Sequence, residues 1–179
     1  MSYDFDQTLE KYADIIVRVG LNLQPGQRLL FSAPIEAAAP VRKVTAKAYD
    51  AGARLVDVVW SDEKTTLIRF QHAPRDSFEE FPVWRAKAME DIFRNGDASL
   101  SLYAEDPDLL KDQDPNLVST AQKAAMQHQM PALDLLVRNA ANWLVVGLPK
   151  YSLVYPKQSK WRNCGRPSSK SAGWINPIQ

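Results

Sequence analysis

The chain has 179 residues, a length that suits one domain with a substantial core. Hydrophobic residues make up 45% of it and charged residues 24%, which is typical of a soluble globular protein. No apolar run approaches the ~18 residues of a membrane span, and Met1–Asp4 lacks the basic start of a signal peptide, so we expect a cytoplasmic location. The single cysteine, Cys164, excludes an internal disulfide and supplies too few thiolates for a structural zinc site.

The formal net charge of +1 conceals an uneven distribution of charge. Six of the 22 basic residues and none of the 21 acidic residues fall between residues 150 and 179, so the first 149 residues carry a net charge of −5. The same segment loses helical and strand periodicity, which predicts a disordered basic tail over 150–179. Basic tails can bind nucleic acid, so binding through residues 157–170 is one alternative function.

The unit that organises the chain lies between Leu29 and Trp60. Leu29–Ala33 is a short apolar run, typical of a buried strand. The helix predicted over Glu36–Ala51 carries one apolar stripe, formed by Val41, Val44, Ala48 and Ala51. Gly52 supplies a helix stop, and Leu55–Trp60 is a second strand. Strand, helix and strand at this spacing predict a crossover between parallel neighbours.

The rest of the chain repeats this alternation of strands and helical segments. Asp4 caps a first helix, Pro82 opens another, and Pro131 is expected to end one helix and start the next. We predict helices over 5–19, 36–51, 62–69, 83–94, 115–129 and from 131, a short helical turn near residue 76, and strands over 29–33, 55–60, 98–103 and 143–148. This order predicts an α/β fold over 1–149, with an open, mostly parallel, Rossmann-like sheet of about four strands and helices on both faces.

Three of the five tryptophans lie in these predicted elements. Trp60 and Trp143 belong to strands and Trp84 to a helix, so core packing is expected for each. On the helix, the inward face is predicted to hold Trp84, Ala88, Ile92 and Phe93.

The first strand-to-helix turn is where a doubly wound domain would hold a nucleotide phosphate. It reads SAPIE, from Ser32 to Glu36, and has no glycine to let the backbone approach a pyrophosphate. Glu36 would also place a negative charge where the anion should sit. We therefore expect no dinucleotide site. We expect Glu36 to stabilise its own helix through a favourable interaction with the helix dipole.

The inventory of reactive side chains argues against a catalytic or metal centre. His72 and His128 are the only histidines, neither belongs to an H-E-x-x-H motif, and both are predicted to lie at the surface or in an interface. Ser32 lacks the G-x-S-x-G elbow of a nucleophile, and Cys164 has no histidine near it in the sequence.

One acidic group remains open to two interpretations. Asp57 could face a cleft, but Asp57, Asp62 and Glu63 are equally well explained as polar residues at a strand end and a helix cap. We predict no catalytic, cofactor-binding or metal-binding residue in this chain.

Several segments together resemble one known family. They are KYADIIVRVGLNLQPGQRLLFSAPIEAAAPVRKVTAKAYDAGARLVDVVWSDE (11–63), FEEFPVWRAKAMEDI (78–92), AEDPDLLKDQDPNLVSTAQKA (104–124) and NWLVVGLP (142–149). They are similar to the opening of the thermophilic metallo-aminopeptidases, the aminopeptidase T, aminopeptidase S and PepS group. The resemblance covers residues 1 to about 149 nearly continuously.

The resemblance implies a two-domain, usually dimeric, cytoplasmic enzyme that removes N-terminal residues from peptides with two divalent metals, zinc, cobalt or magnesium. The Glu, His and Asp ligands of the family belong to its C-terminal domain, and none of their motifs occurs here, so no site residue can be carried over. This chain corresponds to the N-terminal domain, and we expect no peptidase activity and no bound metal in it alone. The alternative is a stand-alone, non-catalytic binding or dimerisation module.

The resemblance fades after Pro149. Tyr151–Pro156 resembles the family pattern weakly, and the resemblance ends after it. When the codons for Lys160 to Ile178 are read two bases later, allowed codon choices give a string that resembles the next helix and strand of the family. We therefore expect the basic tail to be an out-of-frame translation.

Overall fold

A computed structural model describes residues 5–103 and 106–147; the predicted tail over 150–179 lies outside the described residues. Within these ranges the chain forms four parallel strands: β1 (Arg28–Pro34), β2 (Leu55–Ser61), β3 (Ala98–Tyr103) and β4 (Trp143–Gly147). Their order across the sheet is β2-β1-β3-β4. The predicted parallel α/β sheet is confirmed.

Five α-helices lie between or before these strands in the described part of the chain. They are α1 (Phe5–Ile15), α2 (Ala38–Asp50), α3 (Glu63–His72), α4 (Val83–Arg94) and α5 (Pro115–Val137). A π-helical turn, Ile16–Gly20, extends α1, and 3-10 turns over Ile35–Ala37 and Arg75–Glu79 precede α2 and α4. None of the described helices is both long enough and apolar enough to cross a membrane.

The helices cover both faces of the sheet, as predicted. On one face, α1 and α2 pack on the odd-numbered residues of β1, with a cluster formed by Ala13, Ile16, Val17, Leu29, Phe31, Val41, Val44, Ala48 and Leu100 among others. On the opposite face, α4 and α5 meet Leu30 in a second cluster with Ile92, Phe93 and Ala132. Because β1 alternates its side chains between the two clusters, it is the central strand of the core.

The prediction that Pro131 separates two helices is wrong. The structure has one helix, α5, with Pro131 inside it. The ring of Pro131 is exposed, whereas Ala132 is buried against α4, and Leu135 and Leu136 pack beside it. Tertiary packing on both sides of the proline keeps the helix continuous, at the cost of one backbone hydrogen bond.

The prediction that Trp60, Trp84 and Trp143 pack in the core is also wrong. Their exposed fractions are 40%, 60% and 43%. Trp60 and Trp143 lie on β2 and β4, the two edges of the sheet, and Trp84 lies in the first turn of α4. The other predicted inward residues of α4 are as expected, since Ile92 and Phe93 are buried and Ala88 is half-buried.

Candidate functional site

The candidate site lies at the carboxyl edge of the sheet. The chain leaves β1 toward β2 on one side and later returns to place β3 on the other side of β1. Ligands of open α/β sheets bind at such a reversal, outside the carboxyl ends of the strands. Here the strand ends Pro34, Ser61 and Tyr103 border two adjoining cavities.

The first of these, the acidic cavity, is defined by Asp62, Glu63 and Asp106. Its volume is about 480 Å³, and its wall also holds Thr66 and Lys111. Glu63 accepts a hydrogen bond from the backbone N–H of Asp106, which ties the start of α3 to the segment that follows β3. Lys111 is the one basic residue of the cavity wall among the described residues, so the wall is net negative.

Asp62 caps α3 and is held as a carboxylate. Its oxygens accept hydrogen bonds from the Thr65 hydroxyl at 3.0 Å and from the backbone N–H of Lys64 at 2.9 Å. These bonds, that to Thr65 first, lower the pKa of Asp62 below its usual range. The helix-cap interpretation of Asp62 is therefore correct, and its carboxylate is committed to the helix.

The second cavity, the aromatic cavity, is defined by Trp60, Phe81, Trp84 and Tyr103. Its volume is about 360 Å³, and its apolar floor includes Leu30, Val59 and Met89. Arg85 is the single charged residue of its described lining, so the cavity is apolar with one positive group. Ser61, Leu102 and Tyr103 border both cavities.

Contacts with neighbouring side chains hold two parts of the aromatic cavity in place. The Phe81 ring stacks on the His128 ring of α5, with centroids 5.6 Å apart and an interplanar angle of 13°. The Arg85 guanidinium lies 5.3 Å from the centre of the Trp84 ring, which is within cation–π range. The lining of the cavity thus comes from β1, β2 and β3 and from α4 and α5, which pack on each other.

The reactive residues considered in the sequence analysis do not lie together at one site. Ser32 is half-buried in β1 at the wall of the aromatic cavity, and Glu36 is exposed in the turn before α2. His72 is the exposed last residue of α3, whereas His128 is exposed on α5. Cys164 lies outside the described residues.

Asp57 does not join Asp62 and Glu63. It is paired in register with Leu30 and lines a small cavity of about 130 Å³ with Arg28 and Asp91, near the start of β1. Asp62 and Glu63 follow the opposite end of β2. Of the two interpretations considered, the helix cap holds for Asp62, whereas Asp57 faces a small cavity instead of joining the polar residues at that strand end.

The aromatic cavity is the feature that the sequence interpretation missed. Trp60, Trp84 and Tyr103 were assigned to elements but not to a site, because aromatic residues in strands and helices usually pack in a core. One signal was available, because Trp60 and Tyr103 stand at the carboxyl ends of two predicted strands, where parallel sheets bind ligands.

These features define a parallel α/β domain with two cavities at the carboxyl edge of its sheet. A sequence profile of the thermophilic metalloprotease (M29) family matches residues 5–165, and the chain belongs to this family. The match extends past residue 149, into the predicted tail.

Similar proteins agree with this assignment. Aminopeptidase 2 of Geobacillus stearothermophilus is 43% identical over 145 residues, which cover 81% of this chain and 35% of that protein. Aminopeptidase T of Thermus thermophilus is 38% identical over 142 residues, 79% of this chain and 35% of that protein. The solved structure of wild-type AmpT from Thermus thermophilus superimposes with a TM-score of 0.77 at 37% identity and covers 81% of this chain and 36% of that one. This chain therefore spans about a third of the length of its relatives.

The family implies a metal, and the described residues do not fit one. No group of three or more His, Cys, Asp or Glu side chains that could hold a metal ion occurs within 5–103 and 106–147. Catalytic zinc sites take three protein ligands, and sites for harder cations take more oxygens. In the acidic cavity, the Asp62 carboxylate accepts a hydrogen bond from the first turn of α3. The Glu63 carboxylate accepts one from the backbone N–H of Asp106.

Proposed function

We propose that this chain is the N-terminal, non-ligating α/β domain of a metal-dependent aminopeptidase that removes N-terminal residues from peptides. The observation that carries the proposal is the combination of 43% identity to an aminopeptidase with the lack of a metal-holding group among the described residues. Because the chain spans 35% of that relative, the metal ligands are assigned to a part of the full-length protein outside it.

In this account the domain shapes a wall of the substrate site. The carboxyl edge of its sheet offers an acidic cavity and an aromatic cavity side by side, as the surface that a peptide would meet. When bound elsewhere in the protein, divalent metals would polarise the peptide carbonyl and activate water. The residues of this chain would orient the peptide and shield it from solvent.

Two experiments test the proposal. The purified chain should not cleave leucine p-nitroanilide in the presence of cobalt or zinc. A chimera in which residues 5–147 replace the matching third of Geobacillus stearothermophilus aminopeptidase 2 should cleave it, and a chelator should abolish that activity. Chelator-sensitive cleavage by the chain alone, or a folded chimera without activity, would contradict the proposal.

The same proposal includes zinc, cobalt or magnesium as the metal pair of the full-length protein, a homodimer and a cytoplasmic location. Exposed apolar side chains on α5 and β4, Val137 and Val145 among them, support an interface. Sedimentation velocity of the chain over a range of concentrations tests the dimer.

A stand-alone binding or dimerisation module is the second candidate. The open aromatic cavity favours it, because a domain that only filled space would not need one. A stable dimer of this chain that binds peptide, together with an inactive chimera, would favour this candidate over the first. Binding to nucleic acid through residues 157–170 would instead show as steeply salt-dependent affinity for DNA.

A further inference from the structure

The aromatic cavity has the properties of a side-chain pocket. Its volume of about 360 Å³ is in the range of small-ligand sites, roughly 300–1,000 Å³. Trp60, Trp84 and Tyr103 are each at least 40% exposed around it, so three large aromatic surfaces face solvent at one place. The free energy falls when an apolar group covers exposed aromatic surface of this kind.

Arg85 gives the aromatic cavity a positive charge, which favours one orientation of a bound ligand. It is the only charged residue in the described lining of the aromatic cavity, and it forms no ion pair with a carboxylate of the described residues. Its guanidinium is held beside the Trp84 ring at 5.3 Å. A guanidinium in this setting offers paired N–H donors that match the geometry of a carboxylate.

The neighbouring acidic cavity restricts where an anion can bind. Asp62 and Glu63 line that cavity, and Asp62 stays ionised because its pKa is lowered by its capping hydrogen bonds. The described lining of the aromatic cavity holds no carboxylate, so a carboxylate ligand is favoured at Arg85 within it and disfavoured in the acidic cavity, although Arg85 and Asp62 also line a third cavity of about 450 Å³ together. Charge complementarity therefore selects both the ligand and its orientation.

We propose that the aromatic cavity binds the carboxyl end of a short peptide, with a large apolar last side chain between Trp60, Trp84 and Tyr103 and the terminal carboxylate on Arg85. The inference deepens the proposed function and rests on it for the biological role of the peptide. An aminopeptidase acts at the other end of its substrate, so a site for the carboxyl end would favour peptides whose length spans the two sites.

Binding to the full 179-residue chain without metal tests this inference directly. By isothermal titration calorimetry, the tripeptide Ala-Ala-Phe should bind, its C-terminal amide should bind about fivefold to tenfold more weakly, and Ala-Ala-Ala should bind at least about tenfold more weakly. Equal affinity for the acid and the amide, or no measurable binding of Ala-Ala-Phe, would overturn the proposal.

Two pairs of variants assign the effect to the cavity. Arg85→Gln should make the acid and the amide bind alike, whereas Lys87→Gln, which removes one exposed charge from the same helix outside the cavity, should keep the difference. Trp84→Ala should weaken Ala-Ala-Phe at least about tenfold, and Trp143→Ala, at a tryptophan on β4, should leave its affinity unchanged. Equal effects of either variant and its control would overturn the proposal.

Failure of this inference is distinguishable from failure of the proposed function. The titrations need neither metal nor catalysis, and the proposed function is tested by hydrolysis. If a second copy of this chain covers the cavity instead, the chain will bind none of the tripeptides above, and the inference fails while the aminopeptidase assignment stands.

Discussion

Arg28 and Asp97 join the beginning of β1 to the residue before β3. The backbone N–H and the Nε of Arg28 each donate to one oxygen of the Asp97 carboxylate, both at 2.7 Å. The Asp97 residue is 7% exposed, although 69 residues separate the pair in the chain. This bidentate contact sets the neighbouring strands β1 and β3 side by side, and these strands run toward the candidate site.

Removal of Asp97 should therefore be costly. Asp97→Ala leaves the backbone N–H and the Nε of Arg28 without their partner in a partly buried place, which should reduce the free energy of unfolding by about 2–4 kcal/mol. Asp91→Ala is the matched control, because Asp91 pairs with the same arginine at 3.0 Å from an exposed position. Its cost should be below about 1 kcal/mol. Urea unfolding of both variants checks this, and equal losses would contradict the role given to Asp97.

The cap at Asp62 should make stability depend on pH in acid. Its pKa is lowered in the folded state, by the Thr65 hydroxyl first and the Lys64 N–H second, from an ordinary value of 3.8. The carboxylate therefore stabilises the fold fully above that value, and the stabilisation is lost as the pH falls through the folded pKa. Asp114, the cap of α5, has a lowered pKa as well, chiefly through the backbone N–H of Asn116.

Asp62→Asn measures this contribution, since asparagine also caps helices but does not titrate. The Tm of the variant should lie below that of the unmodified chain at pH 7. The difference should shrink as the pH is lowered below about 3.8, the ordinary pKa of aspartate, because the unfolded chain then takes up a proton more readily than the folded chain does. A difference that is constant from pH 7 to pH 2, followed by circular dichroism, would contradict the assignment.

Pro131 should be a stabilising target. In the interior of a helix proline is about 3 kcal/mol less favourable than alanine, and part of this is offset because proline restricts the unfolded chain. Since Pro131 is exposed, Pro131→Ala should raise the free energy of unfolding by about 2 kcal/mol. Pro115→Ala is the control at the first position of the same helix, where proline is well tolerated, and it should give no gain. No increase for Pro131→Ala would show that the helix is kinked to suit the ring.

The turn at Gly52 should not accept a side chain. Gly52 has φ +93°, and a Cβ there would lie 3.0 Å from Cβ and 3.1 Å from Cα of Pro25. Gly26 has φ +87° with open space around it, so Gly26→Ala costs only the backbone strain, about 1–2 kcal/mol. Gly52→Ala should cost more than Gly26→Ala, because the Pro25 backbone cannot move aside easily. Thermal unfolding of the two variants compares them, and an equal cost would contradict the close packing.

The predictable part of the fold is the part governed by local patterns. The bounds of β3 and the position of β1 followed from apolar runs between turn residues, and the stripe of Val41, Val44 and Ala48 followed from helical spacing. These features were predictable because buried positions recur with a fixed period along consecutive residues.

The unpredicted part depends on neighbours that are distant in sequence. Pro131 is tolerated because α4 packs against α5, which no window around the proline reveals. Trp84 lies in the first turn of α4, where it lines an open cavity with Trp60 and Tyr103 and does not pack in the core. The aromatic cavity could not be predicted from the sequence, since five separate elements must meet before it exists.

The central claim is that the chain belongs to a metallo-aminopeptidase family but does not hold the catalytic metals. Equilibrium dialysis of the purified, folded chain against low micromolar zinc or cobalt, followed by elemental analysis, tests it most directly. The account predicts well under one metal ion per chain, because the described residues provide no group of three ligands. Two tightly bound ions per chain, removed by a chelator, would contradict it.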